Sequence, residues 1–235
     1  MKSISNIPKI TLDMYWFNMR SALWFSISVF IVYISLRYFL GHEIGNEFQQ
    51  NFFSFAYQPS KIYMLIMGIL SVFAFLTFYI RHGVTRKDYF IGTALSSLGI
   101  SITLLIIMGG MAAVHQMFAT TDTIMLFGED TSWLTAVLAF GLNVFMYYIA
   151  GWLIGAGFYR LGGLGGTAFI LLAIGFVAMV DNLWEYELGT PVKILTGINL
   201  DEMPLYISFI GTLLLIGLAL WIVRVSTKRI VIKMK

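Results

Sequence analysis

The sequence predicts an all-α membrane protein, one transmembrane domain over residues 1–235 with six transmembrane helices and an N-terminal interfacial helix. Three observations predict it. Hydrophobic residues make up 59% of the chain and charged residues 11%, with a mean hydropathy of +0.83, too little charge to clothe a soluble domain of this size. The apolar residues fall into long runs, each near the ~20 residues needed to cross about 30 Å of hydrocarbon. The cations gather on alternate interruptions of those runs, as cytoplasmic segments require.

The runs lie at about 21–40, 61–80, 89–119, 133–155, 161–180 and 205–223. The third is over-long, and Gly109-Gly110 marks a place where it could bend or break. The fifth is ambiguous at its start, because 162–166 is Gly-Gly-Leu-Gly-Gly, apolar but a poor helix former. Ahead of the first run, Pro8 suits a first helical turn. Residues 8–20 mix Tyr15, Trp16 and Phe17 with Lys9, Asp13 and Arg20, the makeup of a helix lying in the membrane interface. The alternative is a plain cytosolic extension of the first span.

Six spans put both termini on one side. That side carries twelve of the 15 Lys and Arg residues, and the other carries only Arg37, Lys61 and Lys193. Both termini are therefore expected in the cytoplasm. Of the 12 acidic residues only Asp13 and Asp88 fall inside, which leaves anionic exterior loops at 41–60, 120–132 and 181–204. The net charge of +3 follows from this topology and is no sign of nucleic-acid binding. With no cysteine, disulfides, thiolate metal sites and thiol chemistry are excluded. The first run is full length and lacks a small-residue cleavage site, so it is expected to be a permanent anchor.

The interruption at Arg81–Phe90 is the most distinctive. Gly83 permits a sharp turn out of the second span. Thr85 is placed to cap the following turn, with Asp88 three residues on in capping-box position and at the positive end of that helix. Arg86 and Lys87 offer cationic contacts, and Tyr89 and Phe90 offer apolar ones. An ordinary positive-inside loop would also be basic, but the order Gly-x-Thr-Arg-Lys-x-Tyr-Phe between spans two and three is more particular.

That segment resembles the cytosolic coupling segment of ABC-2-type transporter permeases, and the layout resembles theirs along the whole chain. Small bacterial permeases that export peptide toxins or confer peptide-antibiotic immunity look closest. The resemblance implies a multi-pass protein of the bacterial plasma membrane. It implies a short helix nearly parallel to the membrane, formed by Gly83, Thr85, Arg86, Lys87, Asp88 and Tyr89, that binds a cytosolic ABC ATPase subunit. It implies pairing with a second permease copy or a paralogue, and ATP and Mg bound by the ATPase and not by this chain. Export of amphipathic or hydrophobic substrates, such as membrane-active peptides, is the expected function. The alternative is a membrane scaffold or sensor subunit that binds a non-ATPase cytosolic partner.

Other features carry less. Gly151 with Gly155, and Gly162 with Gly166, have the spacing that lets membrane helices approach closely, as internal packing or as a dimer seam. His115 is the only titratable group well inside a run, and is read as a hydrogen-bonded structural residue, with a functional role the alternative. The exterior aromatics are an interfacial belt or the lining of an exit path. The tail 224–235 lies on anionic headgroups or is a disordered end. No Gly-x-x-x-x-Gly-Lys-Ser/Thr loop, His-Glu-x-x-His pair or Gly-x-Ser-x-Gly elbow occurs, so the chain is not expected to be an enzyme or to hold a metal.

Overall fold

A computed structural model describes residues 6–40, 52–118, 133–184 and 205–228. Among them there is no strand. The helices are α1 (Ile7–Leu40), α2 (Phe52–Arg81), α3 (Arg86–Phe118), α4 (Trp133–Leu183) and α5 (Leu205–Lys228). All five are long and apolar enough to cross a membrane. Helix α2 contains a π-helical segment, Ser71–Leu76. Of the acidic loops expected at 41–60, 120–132 and 181–204 and the basic tail expected at 224–235, residues 41–51, 120–132, 185–204 and 229–235 lie outside the described residues.

The bundle is apolar outside and partly polar within. Trp24, Leu171, Leu214 and Trp221 are each more than 60% exposed, whereas Lys61, Asn143 and Asp181 are at most 1% exposed. Water would not favour that arrangement, but hydrocarbon does, because it demands that polar groups be turned inward and paired.

Residues 8–20 are not a separate interfacial helix: they and 21–40 form one helix of 34 residues. The reason is a stripe of Ile10, Met14, Asn18, Ala22, Ser26, Val29 and Tyr33, buried without interruption at the three- and four-residue spacing of one helix face. That face packs on α3. Ile10 closes on Gly92, and the Tyr15 and Thr103 hydroxyls are 2.8 Å apart. The aromatic residues of 8–20 therefore sit on a helix held by tertiary contact along its length.

Helix α3 runs unbroken through Gly109 and Gly110, the place marked as one where it could bend or break. A pair of glycines costs about 2 kcal/mol of helix propensity, less than leaving backbone groups unpaired in an apolar medium. Helix α2 begins at Phe52, nine residues before the expected span, and carries Pro59 inside it.

Helix α4 is 51 residues long and would extend about 76 Å if straight. It doubles back at Gly162, whose backbone (φ 71°, ψ −157°) is open to glycine alone. Its arms, 133–161 and 163–183, pack against each other. The Tyr147 hydroxyl donates to Asp181 at 2.7 Å, and Phe169 lies against Gly157. The loop expected at 156–160 is thus helical, and the glycine run supplies the reversal.

The first arm of α4 packs on α2 at backbone contact. A Cβ on Gly68 would come within 2.0 Å of the Tyr148 carbonyl oxygen, and one on Gly151 within 2.0 Å of that of Leu65. Gly155 continues the seam against Ile69 and Val72, so Gly151-x-x-x-Gly155 serves packing within the chain.

Contacts fix the directions of the helices. Tyr33 meets His115, so α1 and α3 run parallel; Phe17 meets Phe75 and Phe30 meets Phe52, so α2 runs opposite to α1. One end of the bundle therefore collects the start of α1, the turn between α2 and α3, Gly162 and the end of α5. We call it the basic end, since it holds Lys9, Arg81, Arg86, Lys87, Arg160, Arg224 and Lys228.

Candidate functional site

The turn joining α2 to α3 closes in four residues and leaves few backbone groups unpaired. Gly83 has φ +80° and lies just past the end of α2. The Val84 amide donates to the Tyr79 carbonyl at 3.1 Å, and the Gly83 amide to that of Ile80 at 3.1 Å. These two bonds are the Schellman termination that a left-handed glycine permits. Thr85 then caps α3. Its hydroxyl accepts from the Asp88 amide at 3.1 Å, and its carbonyl accepts from the Tyr89 amide at 2.9 Å, as a threonine N-cap should. Asp88 lies in the first turn of α3, where a carboxylate suits the positive end of the helix.

Two features of the expected coupling segment are corrected. No short separate helix exists, because Arg86, Lys87, Asp88 and Tyr89 are the first turn of α3 itself. Tyr89 does not point toward a partner: it is 1% exposed and donates to the Ser71 carbonyl at the head of the π segment. Phe90 stacks on Trp152 at 5.3 Å. The apolar socket for these two rings is the chain's own core.

The cations divide by role. Arg86 donates to the Lys228 carbonyl at 3.1 Å, and Arg160 donates to that of Ser226 at 3.4 Å. Both guanidinium groups thus satisfy carbonyls left over at the negative end of α5. Arg224 donates to the Arg86 carbonyl at 3.2 Å and lies 5.3 Å from the Phe90 ring centre. These arginines tie α5 to the turn and to α4. Lys87 and Arg81 are exposed and present charge outward, and His82 is exposed beside them.

A second site lies at the other end of the bundle. Lys61 and Asp181 form an ion pair at 2.9 Å with side chains 1% and 0% exposed. The Tyr147 hydroxyl donates to the second carboxylate oxygen at 2.7 Å. The ammonium lies 4.7 Å from the ring centres of both Tyr57 and Tyr147, within cation–π range. Three segments meet here, namely α2 and both arms of α4.

Neither is foreseen as a buried group, since Lys61 is taken for the exterior first residue of the second run and Asp181 for the first residue of an exterior loop. His115 is therefore not the only titratable group inside the bundle. A signal was present: run 61–80 starts on a lysine and run 161–180 stops just before an aspartate, and the topology puts both on the same side. Two opposite charges at one depth on neighbouring helices pair more readily than they stay solvated.

His115 packs edge-on against Tyr33 at 5.2 Å, at the opposite end of the bundle from His82. Among the described residues no group of three His, Asp or Glu side chains is close enough to hold a metal. No protein-family model, no curated protein and no solved structure matches the chain.

Proposed function

We propose that the chain is the membrane-spanning permease subunit of an ATP-driven exporter, docking a separate ATPase at its basic end. The observation that carries this reading is the α2–α3 turn. It is rigidly capped on both sides, presents Lys87 outward, and is continuous with two long apolar helices. Such a turn can receive a push from a soluble partner and pass it into the bundle without deforming.

The finer topology belongs to the same reading. Reversal at Gly162 makes two crossings of α4, so the chain crosses six times. The described ends then share the basic end, which the positive-inside rule assigns to the cytoplasm of a bacterial plasma membrane. Two copies, or one copy with a paralogue, would supply twelve crossings around a pathway. ATP binding draws the two ATPases together, the turn moves with them, and the exterior end opens. The differential contact of the turn in the two states drives the shift. The outward surface is apolar and the buried pair is internally neutral, which favours an amphipathic or hydrophobic cargo over a small ion.

A mild-detergent pull-down of the tagged chain, with bound proteins identified by mass spectrometry, tests this. The expected result is a stoichiometric protein bearing a phosphate-binding loop, lost on Lys87→Glu. Lys87 is the informative position, because Arg86 also braces α5 and its replacement would confound docking with stability. Recovery of the chain without such an ATPase, under conditions that preserve a known transporter complex, would refute the permease reading in favour of a scaffold or sensor.

A further inference from the structure

We propose that Lys61, Asp181 and Tyr147 form a latch that holds α2 against the α4 hairpin at the end of the bundle remote from the basic turn. Opening of that end requires the latch to part. An ion pair this deeply desolvated contributes little more to folding than a well-packed apolar pair would. It differs from an apolar pair in having two good states and a poor one between them. Closed, both charges are paired and dry; open, both are hydrated; half-parted and dry, the Asp181 carboxylate keeps only the Tyr147 hydroxyl. That is the energy profile of a bistable contact, not of a yielding one.

The surroundings decide which element moves. The hairpin is clamped to α5 by two hydrogen bonds, from Trp184 Nε1 to the Thr212 hydroxyl at 2.9 Å and from the Ser208 hydroxyl to the Leu183 carbonyl at 2.8 Å. Asp181 therefore stays with the hairpin, and the mobile partner is the part of α2 beyond the seam that Gly68 and Gly151 hold at backbone contact, which carries Lys61. Helix α2 runs from the basic turn at Arg81 to Lys61, twenty residues or about 30 Å. Midway it passes through the π segment Ser71–Leu76, a helix form found mainly at functional sites. Tyr89, from the far side of the turn, donates to the carbonyl of Ser71. Movement of the turn thus reaches α2 at its foot and again at the π segment, and Lys61 lies on the other side of the Gly68–Gly151 seam, which acts as the fulcrum.

The latch deepens the permease reading and rests on it for the force that opens the end. Its test uses the chain alone, so its failure is distinct from failure to recover an ATPase. The chain has no cysteine, and Ser60, beside Lys61, is 0% exposed. A Ser60→Cys variant in proteoliposomes is treated with a membrane-impermeant maleimide, and the labelling rate is followed by mass. The expected rate is slow in this background and about tenfold faster in Lys61→Met/Asp181→Asn, since local opening governs access to a buried thiol.

Gel filtration after detergent extraction checks that the triple variant is folded. Tyr147→Phe, which removes only the hydroxyl on Asp181, is expected to raise the rate about threefold, the factor carried by a weakened hydrogen bond. It decides the question if the neutralised pair does not fold. An unchanged rate in Tyr147→Phe, or in a folded neutralised pair, overturns the latch and leaves the cluster a static brace.

Discussion

Replacing Asp181 by alanine removes the carboxylate 2.9 Å from the Lys61 ammonium, whose side chain is 1% exposed. Removing one member of a buried pair costs about 3–5 kcal/mol. The rings of Tyr57 and Tyr147, each 4.7 Å away, return on the order of 1–2 kcal/mol of that through cation–π attraction. The expected net loss is about 1–4 kcal/mol. Lys61→Met alone should cost a similar amount, because it leaves the carboxylate with only the Tyr147 hydroxyl. The double change Lys61→Met/Asp181→Leu removes both charges and fills the space, and neutral replacement of a buried pair is often close to neutral in stability. The singles should therefore overshoot the double by at least about 2 kcal/mol, a coupling that a double-mutant cycle isolates. Hydrogen bonds between membrane helices average only about 0.6 kcal/mol in such cycles, so the two kinds of contact are separable. The assay is reversible unfolding in mixed micelles, titrated with a denaturing detergent and followed by circular dichroism and tryptophan fluorescence. Additive singles, or a loss below about 1 kcal/mol for Asp181→Ala, would refute the burial and pairing described above.

The remaining predictions use the same unfolding assay. Gly151→Ala places a methyl 2.0 Å from the Leu65 carbonyl and should cost about 1–3 kcal/mol through overpacking. Gly109→Ala, with nothing within 4 Å of its added carbon, should be neutral or stabilise by up to about 1 kcal/mol; equal effects at the two sites would contradict the seam. Gly83→Ala, at φ +80° with open space around it, should cost about 1–2 kcal/mol from backbone conformation alone. Gly83→Asn should cost visibly less, since asparagine tolerates the left-handed region, and a larger loss for Asn than for Ala would point to steric contact instead.

Several parts of this molecule are legible in the sequence, each for a local reason. The apolar runs are set by composition over a bilayer's thickness, and their described residues fall within the five long helices, Gly162 excepted. The turn at 82–85 is equally readable: Gly83 must take a positive φ and Thr85 must cap, because no other residues nearby do either at low cost. The placement of Gly151-x-x-x-Gly155 in packing also follows from residue size. The unity of 8–20 with the first span was less readable, because only contact with Gly92 and Thr103 distinguishes a packed helix from one lying in the headgroups.

Tertiary structure decided where charges and rings point. Tyr89 and Phe90 looked like outward contacts, and the neighbouring Ser71 carbonyl and Trp152 ring turned them inward. Arg86 looked like a docking residue, and the end of α5, 142 positions away in sequence, made it a brace. Lys61 looked like the exterior edge of a span and Asp181 like a loop residue, and the return of α4 at Gly162 brought them to 2.9 Å. The sequence alone determined that this chain is a helical membrane protein with a basic turn between two apolar helices, since hydropathy and capping act within a few residues. Only the folded bundle decided which charges are shared inside and which are offered outside, because a buried charge is stable only beside a partner that the chain must fold to reach.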